Sequence, residues 1–163
     1  MASKEAPERS NGRPANHLLR RLAENDYKLV GPYLERGTVS DNQNLFHAGD
    51  QIETLTFPCG ATLIGLAISV EIDREVCATT VGAEGVVGCI IRRPLPAYSR
   101  GQVLVGGEVA RLPIPRFEQA ASQSPSLRNL FERYAAFLFT QMLQLSACNA
   151  GHSNSESQGA FLR

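Results

Sequence analysis

The sequence predicts a mainly β domain with helices at both ends, an arrangement typical of barrels, sandwiches and jelly rolls. Between Thr38 and Leu112, short apolar runs of strand length are separated by glycine-rich turn signals, at a spacing of roughly 8 to 12 residues. No segment with helical periodicity interrupts this stretch, so alternating strands and helices are not expected. On both sides of it, the spacing of apolar residues changes to that of amphipathic helices.

The charge balance argues against partners that require a strong electrostatic field. Sixteen basic and sixteen acidic residues leave a formal net charge of +0. A protein that binds DNA by itself neutralises phosphates with clustered Lys and Arg, so we expect no DNA binding from this chain alone. The same balance argues against a polybasic membrane anchor. The polar N-terminus carries no apolar targeting segment, which predicts a cytoplasmic protein.

The chain is predicted to begin with a disordered leader, residues 1–15, and to continue with two short helices. Asn16 is a suitable N-cap for the first helix. The second is predicted over Glu24–Glu35, where Pro32 should kink or shorten it. The first helix carries three leucines on one face: Leu18, Leu19 and Leu22.

Five strands are predicted in the central part of the chain. The longest connection between them, Arg92–Ser99, holds two prolines and two arginines. Loops of this kind on a rigid β scaffold often carry the functional site. The predicted strands are Gln51–Phe57, Ala61–Val70, Glu75–Val81, Gln102–Val105 and Glu108–Leu112.

The C-terminal part is predicted to hold a short helix, Arg116–Gln123, and then a long one, Pro125–Cys148. Ser124 is its predicted N-cap, and proline is favoured at the first helical position. Its apolar residues form one broad face that can pack on the β domain or pair with a second copy. A helix this long outreaches a small β domain, which favours a homodimer. The predicted dimerisation residues are Leu127, Leu130, Phe131, Tyr134, Phe137, Leu138, Gln141, Met142 and Leu145.

Polar side chains on the long helix exclude a membrane span. They are Glu132, Arg133, Gln141 and Gln144.

No pattern of catalytic or metal-ligating residues stands out. The three histidines never form a HxH pair, and the four cysteines lie far apart with no CxxC spacing. Nucleophile-elbow and nucleotide-binding glycine motifs are also missing. We therefore expect a non-enzymatic protein without a catalytic residue or a metal, whose thiols are unpaired and mostly buried.

The strongest chemical signal is a glycine-rich turn, Gly82–Cys89, followed across the loop by Arg100. Glycines permit positive φ and a close backbone approach, so the amides of this turn could form a nest for an anion. Arg100 could then hold a phosphate through two hydrogen bonds. The alternative is that the glycines only serve a tight strand connection and that Arg100 forms a surface ion pair.

The order of these parts resembles the sensor half of Crp/Fnr transcription regulators. The motifs are Leu45-Phe46-x-x-Gly49-Asp50 running to Phe57-Pro58-x-Gly60, Val81-Gly82-x-Glu84-Gly85-x-Val87-Gly88, Ser99-Arg100, and Ala147-Cys148-Asn149-x-x-His152-Ser153. The resemblance covers about residues 16–152. It implies a jelly-roll-like, double-stranded β-helix of the cyclic nucleotide-binding type over residues 16–123, and a dimerisation helix over residues 124–150.

In that family, the glycine-rich cassette binds a cyclic nucleotide. Arg100 matches the arginine that holds the phosphate, whereas Cys89 stands where a glutamate should hold the ribose. A thiol is a poor substitute for that carboxylate, so the resemblance implies a degenerate pocket. The alternative is a sensor module that still binds a cyclic nucleotide or another phosphorylated molecule through Arg100. The implied ligand-binding residues are Gly82, Glu84, Gly85, Val87, Gly88, Cys89, Ser99, Arg100 and Gly101.

The family places a winged helix-turn-helix after the long helix. Residues 151–163 resemble only the start of such a domain, so we expect a truncated helix-turn-helix. The expected partner is a second copy of this chain or, in a heterodimer, a full-length relative.

Overall fold

In the computed structural model, residues 12–71, 74–88 and 96–158 are described, with the backbone alone at 70, 71, 74 and 145–158. Within these ranges, helices flank a central β domain, as the sequence predicts. One turn of 3-10 helix, Gly31–Tyr33, follows the second helix. The α-helices are α1 (His17–Arg20), α2 (Glu24–Val30), α3 (Ile114–Gln123) and α4 (Pro125–Gln158).

The described strands form two antiparallel sheets. The three-stranded sheet has the order β1-β7-β3, and the four-stranded sheet has the order β2-β6-β4-β5. This non-sequential order confirms the predicted jelly-roll-like architecture. The strands are β1 (Glu35–Val39), β2 (Asn44–Phe46), β3 (Thr54–Pro58), β4 (Leu63–Glu71), β5 (Arg74–Val81), β6 (Arg100–Val105) and β7 (Gly107–Pro113).

The sequence prediction missed β1 and β2. The second helix ends at Val30 rather than at Glu35, because Pro32 lies in the 3-10 turn and the chain then becomes extended. Strand β1 is polar and mostly exposed, so it shows no apolar alternation. It is a strand because all five of its residues pair with β7.

The main hydrophobic core lies between the three-stranded sheet and the helices. Alternate residues of β3, Leu55 and Phe57, are completely buried in it. From α4, Leu127 and Phe131 enter the same core, and the Phe131 ring meets that of Phe57 edge to face, with centroids 6.3 Å apart. Full burial of each such side chain contributes about 1.5–3 kcal/mol, so the first half of α4 is an integral part of the domain.

Helix α4 is capped as predicted. The Ser124 hydroxyl accepts a hydrogen bond from the Leu127 N–H at 3.1 Å and donates one to the buried carboxylate of Asp26 in α2. Ser126 donates to the other Asp26 oxygen at 2.7 Å. The start of α4 is therefore tied to α2.

The far end of α4 lies beyond its predicted limit. The helix continues through residues 149–158 instead of ending near Cys148. One glycine, Gly151, costs only about 1 kcal/mol in a helix interior, and extending a formed helix is much easier than starting one. Among the described residues, no helix combines the length and apolar character that crossing a membrane requires.

Candidate functional site

The glycine-rich turn after β5, residues Gly82–Gly88, is called the cassette turn here, and the start of α1 holds it by hydrogen bonds. The side-chain amide of Asn16 donates to the carbonyls of Gly85 and Pro58, both at 2.8 Å. The His17 N–H donates to the Ala83 carbonyl at 2.7 Å. Asn16, predicted as an N-cap, does cap α1 through its Oδ1 atom, and it also holds the turn.

Tyr134 links the cassette turn to α4. Its hydroxyl accepts from the Val86 N–H at 3.0 Å and donates to the Val86 carbonyl at 3.1 Å. Burial raises the pKa of Tyr134 to about 12. A Cβ on Gly85 would lie 2.2 Å from this hydroxyl, so only glycine lets α4 approach the turn so closely.

Four amides of the turn, in which an anion nest could form, are hydrogen-bonded to protein groups. The Gly82 N–H donates to the Glu84 carboxylate at 2.8 Å, and the Gly85 N–H donates to the Gly82 carbonyl at 3.1 Å. The Val86 N–H binds Tyr134, and the Val87 N–H donates to the Thr56 carbonyl at 2.8 Å. The Glu84 carboxylate is therefore engaged within the turn itself.

Arg100 forms an ion pair at the surface. Its Nε lies 3.0 and 3.2 Å from the two carboxylate oxygens of Glu75 on β5, and its Nη1 donates to Asn44 Oδ1 on β2 at 3.0 Å. The bond to Arg100 lowers the pKa of Glu75, and the same bond raises the pKa of Arg100. The surface ion pair, which was one of the two interpretations of Arg100, is thus present in the structure.

The alternation of β6 explains this placement. Gly101 and Val103 are buried, and a Cβ on Gly101 would touch the ring of Phe46 inside the roll. Arg100 and Gln102 belong to the opposite, outer face, because successive residues of a strand point to opposite sides of the sheet.

An apolar cavity of about 210 Å³ lies between the inner face of the four-stranded sheet and α4. We call it the roll cavity. Phe46, Ile52 and Leu66 line it from the β-roll, and Val86, Val87 and Gly88 line it from the cassette turn. Helix α4 closes another side with Ala135, Leu138, Phe139 and Met142, and the segment Pro96–Ser99 completes the lining.

The structure brings only part of the predicted ligand set together. Val87, Gly88 and Ser99 line the roll cavity. Cys89 lies outside the described residues. The others do not line it: Gly82, Glu84, Gly85, Arg100 and Gly101.

The predicted dimerisation set is also divided. Leu127, Phe131 and Tyr134 are buried in the core of their own domain and cannot present a seam to a second copy. Leu130 and Leu138 pack partly against the same core, whereas Phe137 is 52% exposed. Met142 lines the cavity, Gln141 is half-buried, and the side chain of Leu145 lies outside the description.

Two of the exposed apolar residues of α4 were not predicted. Phe139 is 63% exposed and Leu143 is 55% exposed. At 3.6 residues per turn, these two lie one turn apart on one flank, beside the roll cavity, and Phe137 lies on the other flank.

The described cysteines only partly follow the expectation of buried thiols. Cys59 is free and buried, and burial raises its pKa, whereas Cys77 is free and exposed. Throughout the described ranges, no group of three or more His, Cys, Asp and Glu side chains is placed to hold a metal ion.

Comparison with known proteins shows the fold. No family model matches the sequence, and no curated protein matches it either. Among solved structures, a mutant of CooA from Carboxydothermus hydrogenoformans superposes with a TM-score of 0.63 at 14% identity, covering 99% of this chain and 100% of that one. The N-terminal domain of a transcriptional regulator from Streptomyces coelicolor A3(2) superposes with a TM-score of 0.58 at 18% identity, covering 79% of this chain and 90% of that one.

A cyclic nucleotide-binding domain from Methylobacillus flagellatus KT has the same fold. Its TM-score is 0.56 at 15% identity, with 87% of this chain and 76% of that one covered. The fold implied by the Crp/Fnr resemblance, a cyclic nucleotide-binding-type jelly roll followed by a long helix, is confirmed. At these identities the likeness concerns the fold, and function has to be argued from the site.

Sequence reasoning missed most of the roll cavity. Phe46, Leu66 and Ala135 are ordinary core candidates in the sequence, and nothing in their spacing marks a ligand site. One weak signal was present: Gly101 directly follows Arg100, and a strand glycine often marks a close approach by another group, here the Phe46 ring.

Proposed function

We propose that this chain is the non-enzymatic effector domain of a Crp/Fnr-like transcription regulator, in which the cassette turn controls the position of α4. The observation that carries the proposal is the pair of hydrogen bonds from Tyr134 to Val86. A ligand that displaces the turn must move α4 with it or break both bonds. Such a two-state coupling between a site and an output element is the essence of regulation by a ligand.

The proposal includes a pocket that no longer suits a cyclic nucleotide. Arg100 is engaged by Glu75 and Asn44 on the outer face, and the Gly82, Gly85, Val86 and Val87 amides have protein partners. A cyclic phosphate would therefore have to replace existing hydrogen bonds rather than fill open ones. A phosphorylated ligand held by Arg100 would likewise have to replace the bonds to Glu75 and Asn44.

Calorimetric titration with cyclic AMP, cyclic GMP and inorganic phosphate tests this part. We expect no binding heat from any of the three. Micromolar binding that Arg100→Ala abolishes would show instead that the family's cassette chemistry is retained.

The proposal also includes a homodimer formed through α4, in the cytoplasm. Phe139 and Leu143 expose large apolar surface one helical turn apart, and a second copy of the helix would cover it. The seam we propose is thus displaced from the predicted one, because the residues before it are used by the domain core. A heterodimer with a full-length relative would use the same flank.

Light scattering coupled to size-exclusion chromatography tests the dimer. The wild-type chain should elute with the mass of two copies, and Leu143→Glu should shift it to one copy. Gln119→Glu adds the same charge at an exposed site on α3 and should leave the dimer intact. A monomeric wild-type chain would refute this part of the proposal.

Hydrogen exchange tests the coupling without any ligand. In Tyr134→Phe, the Val86 amide and the amides of residues 129–144 should exchange faster together. Faster exchange at Val86 alone would show that the turn and α4 are independent.

A further inference from the structure

The roll cavity has the lining of a site for an uncharged ligand. Eleven of the lining side chains come from Phe, Ile, Leu, Val, Ala, Pro and Met, and no lining residue among those that the structure describes carries a formal charge. An unpaired charge in such surroundings loses its hydration without gaining a partner. The described part of the lining therefore favours an apolar molecule over an anion.

Two charged residues that lie close in sequence to lining residues do not supply this partner. Arg100 follows the cavity residue Ser99 directly but belongs to the outer face, where Glu75 and Asn44 hold it. Glu84 turns its carboxylate to the Gly82 amide. Neither residue lines the cavity.

The size of the cavity limits the ligand further. At about 210 Å³ it falls below the roughly 300–1,000 Å³ typical of pockets for drug-sized molecules. It exceeds the roughly 150 Å³ of an apolar cavity that holds benzene. A single six-membered ring with a small substituent has the appropriate dimensions.

Ser99 provides one polar group in this apolar surface. The residue is 5% exposed and lines the cavity. A small number of placed polar groups fixes the orientation of a ligand in an otherwise apolar pocket.

The mouth of the cavity is formed where the domain meets α4. Tyr98 and Phe139 line the cavity and are both more than 60% exposed. The Tyr98 hydroxyl lies 3.7 Å from the Met142 sulfur, so these side chains connect the cavity to the exposed flank of α4.

We propose that the roll cavity binds a small, uncharged, ring-sized apolar molecule, with the Ser99 hydroxyl as a hydrogen-bonding partner. This inference rests on the proposed effector function and names its ligand class. The bound molecule would contact the cassette turn through Val86 and Val87 and α4 through Ala135, Leu138 and Met142. It would thus bridge the two elements that Tyr134 already links.

Met142 gives a direct reporter of occupancy, because the sequence has only one other methionine, Met1. In the full chain labelled with ¹³C-methyl methionine, toluene should shift the Met142 methyl signal saturably. Benzyl alcohol should do the same with higher affinity, since its hydroxyl can pair with Ser99. Cyclic AMP and inorganic phosphate should leave the signal unchanged.

Matched variants on α4 separate binding in the cavity from contact with the surface. Ala135→Leu places a larger side chain in the cavity and should weaken toluene binding by about tenfold or more, the factor that corresponds to one lost interaction of moderate strength. Ala136→Leu makes the same change one residue later, on an exposed position that does not line the cavity, and should leave the affinity unaltered. Equal weakening in both variants would overturn the assignment.

Ser99→Ala keeps the proposal testable if Ala135→Leu impairs folding. It should reduce the affinity for benzyl alcohol about 2- to 10-fold, as expected for one neutral hydrogen bond, and leave that for toluene unchanged. No saturable response of Met142 to either probe would overturn the proposal, as would a saturable response to cyclic AMP. The dimer and exchange experiments use no ligand, so an unresponsive cavity would leave the effector function itself standing.

Discussion

The two faces of the four-stranded sheet differ sharply, although adjacent residues of β6 supply both. On the inner face, Gly101 and Val103 lie beside the buried residues Leu66 and Ile64 of β4. The outer face carries Arg100 in an exposed ion pair with Glu75. Neighbouring positions in a strand thus belong to different environments, and a motif that spans both need not form one site.

The largest difference between the faces should appear on truncation of an apolar side chain. Ile64→Ala, on the inner face, should lower the free energy of unfolding by about 2–5 kcal/mol, because it removes buried methyl groups and leaves a cavity. Leu104→Ala, on the outer face and 43% exposed, should cost about 1 kcal/mol or less. Urea unfolding of both variants measures the difference, and equal losses would mean that both faces are buried, for instance by a partner.

The second largest effect is expected where α4 packs against the cassette turn. Gly85→Ala would bring a Cβ within 2.2 Å of the Tyr134 hydroxyl and 2.9 Å of a Val81 methyl. This overpacking should lower the free energy of unfolding by as much as about 3 kcal/mol. Gly82→Ala is the matched change in the same turn. The atoms nearest to its Cβ would be those of the Glu84 carboxylate, which is the end of a flexible side chain, so a smaller loss of stability is expected in thermal or urea unfolding.

Tyr134→Phe should have the next largest effect. It should lower the free energy of unfolding by about 1–3 kcal/mol, because it leaves the buried N–H and carbonyl of Val86 without their hydrogen-bond partner. Tyr33→Phe, at an exposed tyrosine, should be nearly neutral by comparison. If Tyr33→Phe cost as much in urea unfolding, the loss could not be assigned to the Val86 bonds.

The pKa of Tyr134 makes the same contact visible in alkaline solution. A group whose pKa rises on folding stabilises the protein fully below the unfolded value, here 10.0, and loses that contribution as pH rises through the folded value, here about 12. Stability should therefore fall over this range in the wild type. The fall should be smaller in Tyr134→Phe, and identical profiles would contradict the assignment.

The smallest effect is expected on the outer face. Arg100→Ala should change stability little, because exposed ion pairs are weak, and should leave the Met142 response to toluene unaltered. Carboxyl NMR titration should place the Glu75 pKa below 4.5 in the wild type and return it toward that value in the variant. The small stability contribution of the pair is present above pH 4.5 and is lost as pH falls through the lowered pKa. A large loss of stability or of toluene binding would place Arg100 in the cavity after all.

Local features of the fold were predictable from the sequence. Asn16 and Ser124 cap helices as predicted, because a cap depends on a few neighbouring residues. Helix α3 ends at Gln123 as predicted, and the strands with alternating apolar residues lie close to their predicted positions. Strand β1 was missed because its strand character comes from pairing with the distant β7.

The candidate site was less predictable, for a similar reason. Val87, Gly88 and Ser99 were identified, since they lie in the motifs that carry the family resemblance. Leu66, Ala135 and Phe139 were not, because they become cavity residues only when the β-roll and α4 pack together.

The amino-acid sequence by itself determined the fold class, the helix caps and the glycine-rich turn. These follow from hydrophobic periodicity and from backbone preferences that act over a few residues. Only the tertiary structure decided which side of the sheet Arg100 occupies, which amides of the turn have partners, and which half of α4 belongs to the domain core. Those properties depend on contacts between residues far apart in the chain, such as Tyr134 with Val86 and Arg100 with Glu75.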